Sequence, residues 1–153
     1  MTEPRFQADG ESVTVTLEPE ERKVLVGVLD LLANVGEVAD DPAASRLSVP
    51  VYLDDPEAND EWWRLMGDEL ESSRNSDRAL YRKVMTEDGP LILDGDEAGA
   101  LLRVLNEGRL AFAARLGLDV EDDHDRLPLP QMMALDFLGW VLEELTVELS
   151  TTL

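Results

Sequence analysis

The chain has one histidine, and its surroundings make it the first residue to test for chemistry. His124 stands within the run Asp-Asp-His-Asp at positions 122–125. A histidine among carboxylates could bind a metal ion or transfer a proton, but a metal site needs several ligands in fixed geometry. The run also lacks the Asp-x-Asp-x-Asp-Gly order of a calcium loop. We therefore expect a solvated loop and no metal site.

Other catalytic arrangements find no support in the sequence. A Ser-His-Asp relay would need His124 again, and no Gly-x-Ser-x-Gly turn is present. The glycines form neither a phosphate loop nor a dinucleotide fingerprint, and the chain has no cysteine. Lys23 and Lys83 are the only lysines, and nothing around Lys23 would remove it from water. We predict no catalytic residue and no cofactor, and thus a protein that is not an enzyme.

Arg109 and Asn106 are polar residues at or beside an apolar line of a predicted helix. The line recurs at helical spacing and consists of Leu102, Leu105, Phe112 and Leu116. A charge on an apolar face must be paired, because an unpaired buried charge destabilises the fold. We favour a buried ion pair between Arg109 and a carboxylate. The other interpretation is a pocket that receives a carboxylate ligand.

Five further residues are candidates for contact with a partner. Arg74, Arg78 and Arg82 recur every four residues and would form one basic stripe on a helix. Cations near a helix C-terminus are also favourable without any partner. Trp62 and Trp63 are adjacent, so they cannot both face the same side of a helix. We expect one of them to be partly exposed, and an exposed tryptophan is a typical interface residue.

Patterns of polarity and turn residues predict the elements that position these side chains. A hairpin around Asp9-Gly10 fits alternating apolar residues, and Pro19 and Pro56 suit first positions of helices. The predicted segments are a hairpin at 6–17, helices at 19–35, 56–86, 95–116 and 130–150, and a strand at 91–93. Together they predict one domain over residues 1–153, of the predominantly helical α+β class. About four main helices surround one core, with a small antiparallel sheet beside them.

The first and last helices are more apolar than one buried face requires, which favours a protein partner or a homodimer. The chain carries 34 acidic and 13 basic residues, a net charge of −21. Such a charge repels nucleic-acid phosphates and anionic membrane surfaces, but it permits a basic protein partner. No export signal or run of about 20 apolar residues is evident, which predicts a cytoplasmic protein.

Three segments resemble a known family. They are Glu-Trp-Trp-Arg-Leu at 61–65, Leu-Asn-Glu-Gly-Arg-Leu-Ala-Phe-Ala-Ala-Arg-Leu-Gly at 105–117, and Phe-Leu-Gly-Trp-Val-Leu at 137–142. Their order is similar to that in the bacterial "domain of unknown function 2017" family, over essentially the whole chain. Asn106, Arg109 and Arg115 match the family pattern, whereas Gly108 and Ala113-Ala114 stand where the resemblance leads us to expect bulkier or other small residues. The resemblance implies no established activity. Genes of the family often lie beside that of the ClpS adaptor, which implies a link to Clp-type proteolysis.

Three hypotheses on function follow. The first is a non-enzymatic interaction or regulatory module, linked through its family to Clp-type proteolysis. The second is a carboxylate sensor or enzyme with a pocket at Asn106 and Arg109. The third is an acidic mimic of nucleic acid that binds a basic protein.

Overall fold

The computed structural model describes residues 4–37, 39–48, 54–87, 89–118 and 127–152. His124 and the acidic run around it lie outside the described residues. The elements, in chain order, are the strands and helices β1 (Phe6–Asp9), β2 (Ser12–Val15), α1 (Pro19–Ala33), α2 (Pro42–Leu47), α3 (Pro56–Thr86), β3 (Leu91–Asp94), α4 (Gly95–Arg115) and α5 (Leu129–Thr152). The predicted class is confirmed, since long helices surround one core and three short antiparallel strands lie beside them.

The three strands form an antiparallel sheet in the order β1-β2-β3. Gly10 closes the hairpin with a φ of +63°, a left-handed conformation that glycine adopts without steric cost. Val13 pairs with Ala8 on one side and with Leu93 on the other. Val13 and Leu93 are both buried among the helices, so one face of the sheet closes the core.

α4 is the central element of the fold. It contacts α1, α2, α3 and α5, as well as β2 and β3. Small residues occupy many of its buried positions, and these are Ala98, Ala100, Gly108, Ala111 and Ala114. A Cβ atom on Gly108 would lie 2.4 Å from Cγ1 of Val28 in α1. Glycine at position 108 therefore has a packing reason, because only glycine lets α1 approach this closely.

Polar contacts fasten the end of α3 to α1. The Arg22 side chain is buried and donates hydrogen bonds to three backbone carbonyls, those of Val84 (2.8 Å), Glu87 and Gly89 (2.7 Å). These bonds satisfy carbonyls that the end of a helix leaves unpaired. The Tyr81 hydroxyl donates to the Leu25 carbonyl at 2.6 Å, and burial raises the pKa of this phenol.

A buried carboxylate joins the ends of three helices. Asp41 accepts hydrogen bonds from the backbone amides of Gly36 after α1 and Ala43 in α2, both at 3.0 Å. Arg115, at the end of α4, pairs with the same carboxylate at 2.8 Å. The Arg115 guanidinium, together with the Gly36 amide, holds the pKa of Asp41 well below its usual range. Arg115 thus has an architectural partner, which the sequence alone did not identify.

We expect Gly108→Ala to lower the free energy of unfolding by about 1–3 kcal/mol, because the added methyl group would overpack against Val28. Gly27→Ala in α1 is the matched control. A Cβ atom there meets nothing within 4 Å, so alanine should stabilise the helix by about 0.5–1 kcal/mol. Urea unfolding of the two variants measures both effects. Equal stability of the two variants would contradict the close approach of α1 to α4.

Candidate functional site

α5 carries apolar side chains on two opposite faces. Its inner face is buried and consists of Leu135, Leu138, Val141 and Leu145. Its outer face carries four large apolar side chains that are more than half exposed, namely Leu129 (61%), Met133 (60%), Trp140 (59%) and Val147 (54%). Their spacing of four, seven and seven residues keeps them on one line, about 27 Å long at 1.5 Å per residue. We call these four residues the outer stripe of α5.

An open groove of about 850 Å³ runs along one side of the outer stripe. We call it the hairpin groove, because it lies between the hairpin, the start of α1 and α5. Trp140 and Val147 contribute apolar surface to it. Its charged lining residues are five glutamates and one arginine, namely Glu18, Glu21, Glu143, Glu144, Glu148 and Arg5. The groove is therefore strongly negative beside an apolar edge.

Arg5 holds the hairpin groove together. Its guanidinium pairs with Glu21 of α1 and with Glu144 of α5, the latter at 2.6 Å. It also lies 5.4 Å from the ring centroid of Phe137, a distance that permits a cation–π contact. Burial disfavours the charged form of Arg5, but the two carboxylates outweigh burial and raise its pKa. One arginine thus ties the first strand to the first and last helices.

α5 also covers one edge of the sheet, the outer side of β1. The backbone amide of Ala8 in β1 donates to the Glu148 carboxylate at 2.9 Å. An uncovered edge strand leaves amides free to pair with another chain. Glu148 therefore satisfies one such amide and fixes α5 against the hairpin.

A second open groove, of about 490 Å³, lies on the α4 side of the outer stripe. Asn106 and Arg109 line it together with Glu143, Thr146 and Val147 of α5, and Glu143 is shared with the hairpin groove. A Cβ atom on Gly139 would lie 3.6 Å from Nε of Arg109, so the arginine lies across the backbone of α5. The groove brings together the two residues that the sequence predicted as a pair.

The expectation of a buried ion pair at Arg109 is wrong. Arg109 and Asn106 are both exposed, and Arg109 forms no ion pair within the described ranges. The buried line of α4 runs one position earlier than predicted, through Leu101, Val104, Gly108 and Ala111. One residue turns a helix by about 100°, which places Arg109 at the border of the core. The carboxylate-pocket interpretation stays a prediction.

The predicted basic stripe on α3 makes internal contacts. Glu107 of α4 forms ion pairs with two arginines of α3, Arg78 at 3.0 Å and Arg74 at 3.4 Å. Asp77 and Arg103 add a bidentate pair between the same two helices, at 2.7 and 2.9 Å. Arg74 and Arg78 therefore attach α3 to α4. Arg82, the third member of the stripe, is exposed.

Trp62 and Trp63 lie in the first half of α3, which contains no buried residue. Their rings meet edge to face, with centroids 5.0 Å apart, and both side chains are half-buried. Leu65 and Met66 beside them are exposed. Contact of either tryptophan with a partner stays a prediction, and Trp140 is the more exposed indole.

Sequence reasoning missed Arg5, Glu144 and Glu148 as parts of a site. Their contacts join positions about 140 residues apart, and no local pattern encodes such pairs. One signal was present. Glu144 and Glu148 lie four residues apart, so they share a face of the last helix.

Two other kinds of site can be checked in the described part of the chain. No three His, Asp or Glu side chains within it come together in a way that could hold a metal ion. None of the described helices is both long and apolar enough to cross a membrane.

The fold and the two grooves define a small helical domain with an apolar stripe between differently charged flanks. Residues 1–149 match the family described as "Domain of unknown function (DUF2017)", and the chain belongs to that family. The match covers nearly the whole chain, so all the residues of both grooves lie within the family domain. No curated protein is significantly similar in sequence. No solved structure matches the chain either.

We expect the two faces of α5 to respond differently to truncation. Leu145→Ala should lower the free energy of unfolding by about 2–5 kcal/mol, because Leu145 is fully buried in the core. Trp140→Ala should change it by no more than about 0.5 kcal/mol, because most of the side chain is exposed. Urea unfolding tests both variants. A large loss on Trp140→Ala would show that Trp140 belongs to the core.

Proposed function

We propose that this protein is a non-enzymatic protein-interaction module that uses the outer stripe of α5 as its docking surface. One observation carries the proposal: four large apolar side chains lie exposed in one line on a chain with a net charge of −21. Single exposed apolar residues are ordinary, but several aligned on one face of a helix are typical of a surface that another molecule covers.

Trp140 lies within this line and has the properties of an interface anchor. Tryptophan is among the residues that most often dominate binding energy, and it does so when a partner excludes water from its surroundings. Met133 is seven residues before it and Val147 seven after, so one exposed apolar side chain lies two helical turns away on each side of the indole. The glutamates of the hairpin groove supply the polar rim that usually surrounds such an anchor.

We further propose a regulatory role in the cytoplasm. The family resemblance supports a link to Clp-type proteolysis, because genes of the family often lie beside the ClpS gene. In such a role the outer stripe would contact a component or a substrate of the protease system. An acidic mimic of nucleic acid is less favoured, because its contact surface would be charged throughout and would not include an apolar line.

Photo-crosslinking from position 140 tests the proposal in native cells. A photoreactive phenylalanine that replaces Trp140 should form a discrete crosslinked product, because the partner covers this position. The matched control is the same replacement at Ile92, which is exposed on β3, outside both grooves. A product of twice the chain mass would identify a second copy as the partner. The proposal fails if position 140 yields no more product than position 92.

A carboxylate sensor is the second candidate, and the position of Arg109 favours it. The Arg109 guanidinium is exposed in a groove with Asn106 and Thr146, while nearby Arg103 is paired with Asp77. A planar guanidinium binds a carboxylate with two parallel hydrogen bonds.

We expect succinate or benzoate to raise the melting temperature if this groove binds carboxylates, and Arg109→Gln to abolish the rise. Arg82→Gln is the control, since Arg82 is an exposed arginine outside both grooves. Thermal unfolding with increasing ligand measures the effect, because a ligand that binds only the folded state stabilises it. A rise that persists in Arg109→Gln would place the ligand elsewhere.

A further inference from the structure

We infer that the occupant of the outer stripe is a cationic amphipathic helix of another protein. Its apolar side chains would lie on the stripe, and its Lys or Arg side chains would enter the hairpin groove. The inference rests on the proposed function and specifies the chemistry of the partner.

The spacing of the outer stripe favours a helix as the occupant. Met133, Trp140 and Val147 follow one another at about 10.5 Å, which is seven residues at 1.5 Å each. Residues seven apart on a partner helix advance by the same distance, so each could contact one member of the stripe. An extended peptide repeats its side chains on one face every 6.6–6.8 Å or so, and it would fall out of register.

The charge of the hairpin groove favours a basic partner. Five glutamates and one arginine line it, and the arginine is already paired with Glu21 and Glu144. Glu143 is exposed beside Trp140 and makes no ion pair with the described residues. A cation placed here would gain attraction without breaking an internal contact. The same field would speed the approach of a basic partner.

The opposite flank of the stripe differs in charge. Arg103, Arg109 and Glu143 line the groove on the α4 side, and Glu143 also lines the hairpin groove. Arg103 is paired with Asp77, whereas Arg109 lacks an ion pair within the described residues, so this flank is far less negative than the hairpin groove. A docked helix would therefore be best matched with basic residues toward the hairpin and a carboxylate toward Arg109. This asymmetry fixes which way round the helix docks.

A second copy of the chain fits the stripe less well. Each copy carries a charge of −21, so association brings together two strongly negative surfaces. If two α5 helices paired antiparallel about a twofold axis, the hairpin groove of one copy would face that of the other. Like charges would then oppose each other along the whole flank. A cationic helix meets neither penalty.

Two synthetic 21-residue helical peptides provide the test. Both carry leucine at the first and fourth positions of three heptads, and their other positions carry lysine and alanine in one, glutamate and alanine in the other. Fluorescence anisotropy should show binding of the lysine peptide, and binding of the glutamate peptide at least about tenfold weaker. Raising the salt concentration from about 50 to about 500 mM should lower the affinity of the lysine peptide for the protein, because salt screens the attraction between opposite charges.

Variants of the full chain identify the surface that binds. We expect Trp140→Ala to lower the affinity for the lysine peptide by about tenfold or more, and Glu143→Lys to lower it by about threefold or more. Ile92→Ala is the control and should leave binding unchanged, since Ile92 is exposed outside both grooves. Circular dichroism of each variant checks that it remains folded.

Several results would overturn the inference. These are equal binding of the two peptides, binding of neither peptide, and binding that survives Trp140→Ala. The crosslinking experiment at position 140 shows whether such a result contradicts only the cationic helix or also the proposed docking surface. A crosslinked partner segment that is not basic would overturn the cationic helix alone, whereas the lack of any product would overturn the docking surface itself.

Discussion

The rest of the fold depends on one constraint, which is that most of the other elements must pack against the single helix α4. Four helices and two strands contact this one helix, and small residues such as Gly108 and Ala111 allow them to approach. Charged side chains of α4 reach its borders, where Glu107 and Arg103 pair with residues of α3. α4 is therefore packed against neighbours on most of its faces, although Asn106 and Arg109 remain exposed, and each neighbouring helix buries one of its own faces against it.

This constraint has its clearest consequence at α5. One face of the helix closes the core through Val141 and Leu145, while the other face remains apolar and uncovered. Arg5 and Glu148 hold α5 against the hairpin, so the outer stripe is presented in a fixed orientation. The acidic hairpin groove and the Arg109 groove then give its two flanks different charges. A fixed apolar surface with unequal flanks is well suited to select one partner orientation.

The fold class and the approximate positions of the long helices could be predicted from local signals. Pro19 and Pro56 occupy the first positions of α1 and α3, and Asp94 caps α4. Side-chain roles were harder to predict, because rotation of a helix by one residue moves a side chain from core to surface. Arg109 illustrates this, since Leu102, Phe112 and Leu116 of its predicted apolar line are only half-buried. Arg5 and Arg22 were missed because their partners are distant in sequence.

Oxidative footprinting by mass spectrometry can show whether a partner covers the outer stripe, because the stripe contains two readily oxidised residues. We expect Met133 and Trp140 to react quickly in the purified protein and to be protected in native extract. Met66, exposed on α3, and Met85, buried in the core, serve as internal references and should react alike in both. Equal reaction of Met133 and Trp140 in the two samples, or protection of both in the purified protein, would contradict an open docking surface on α5.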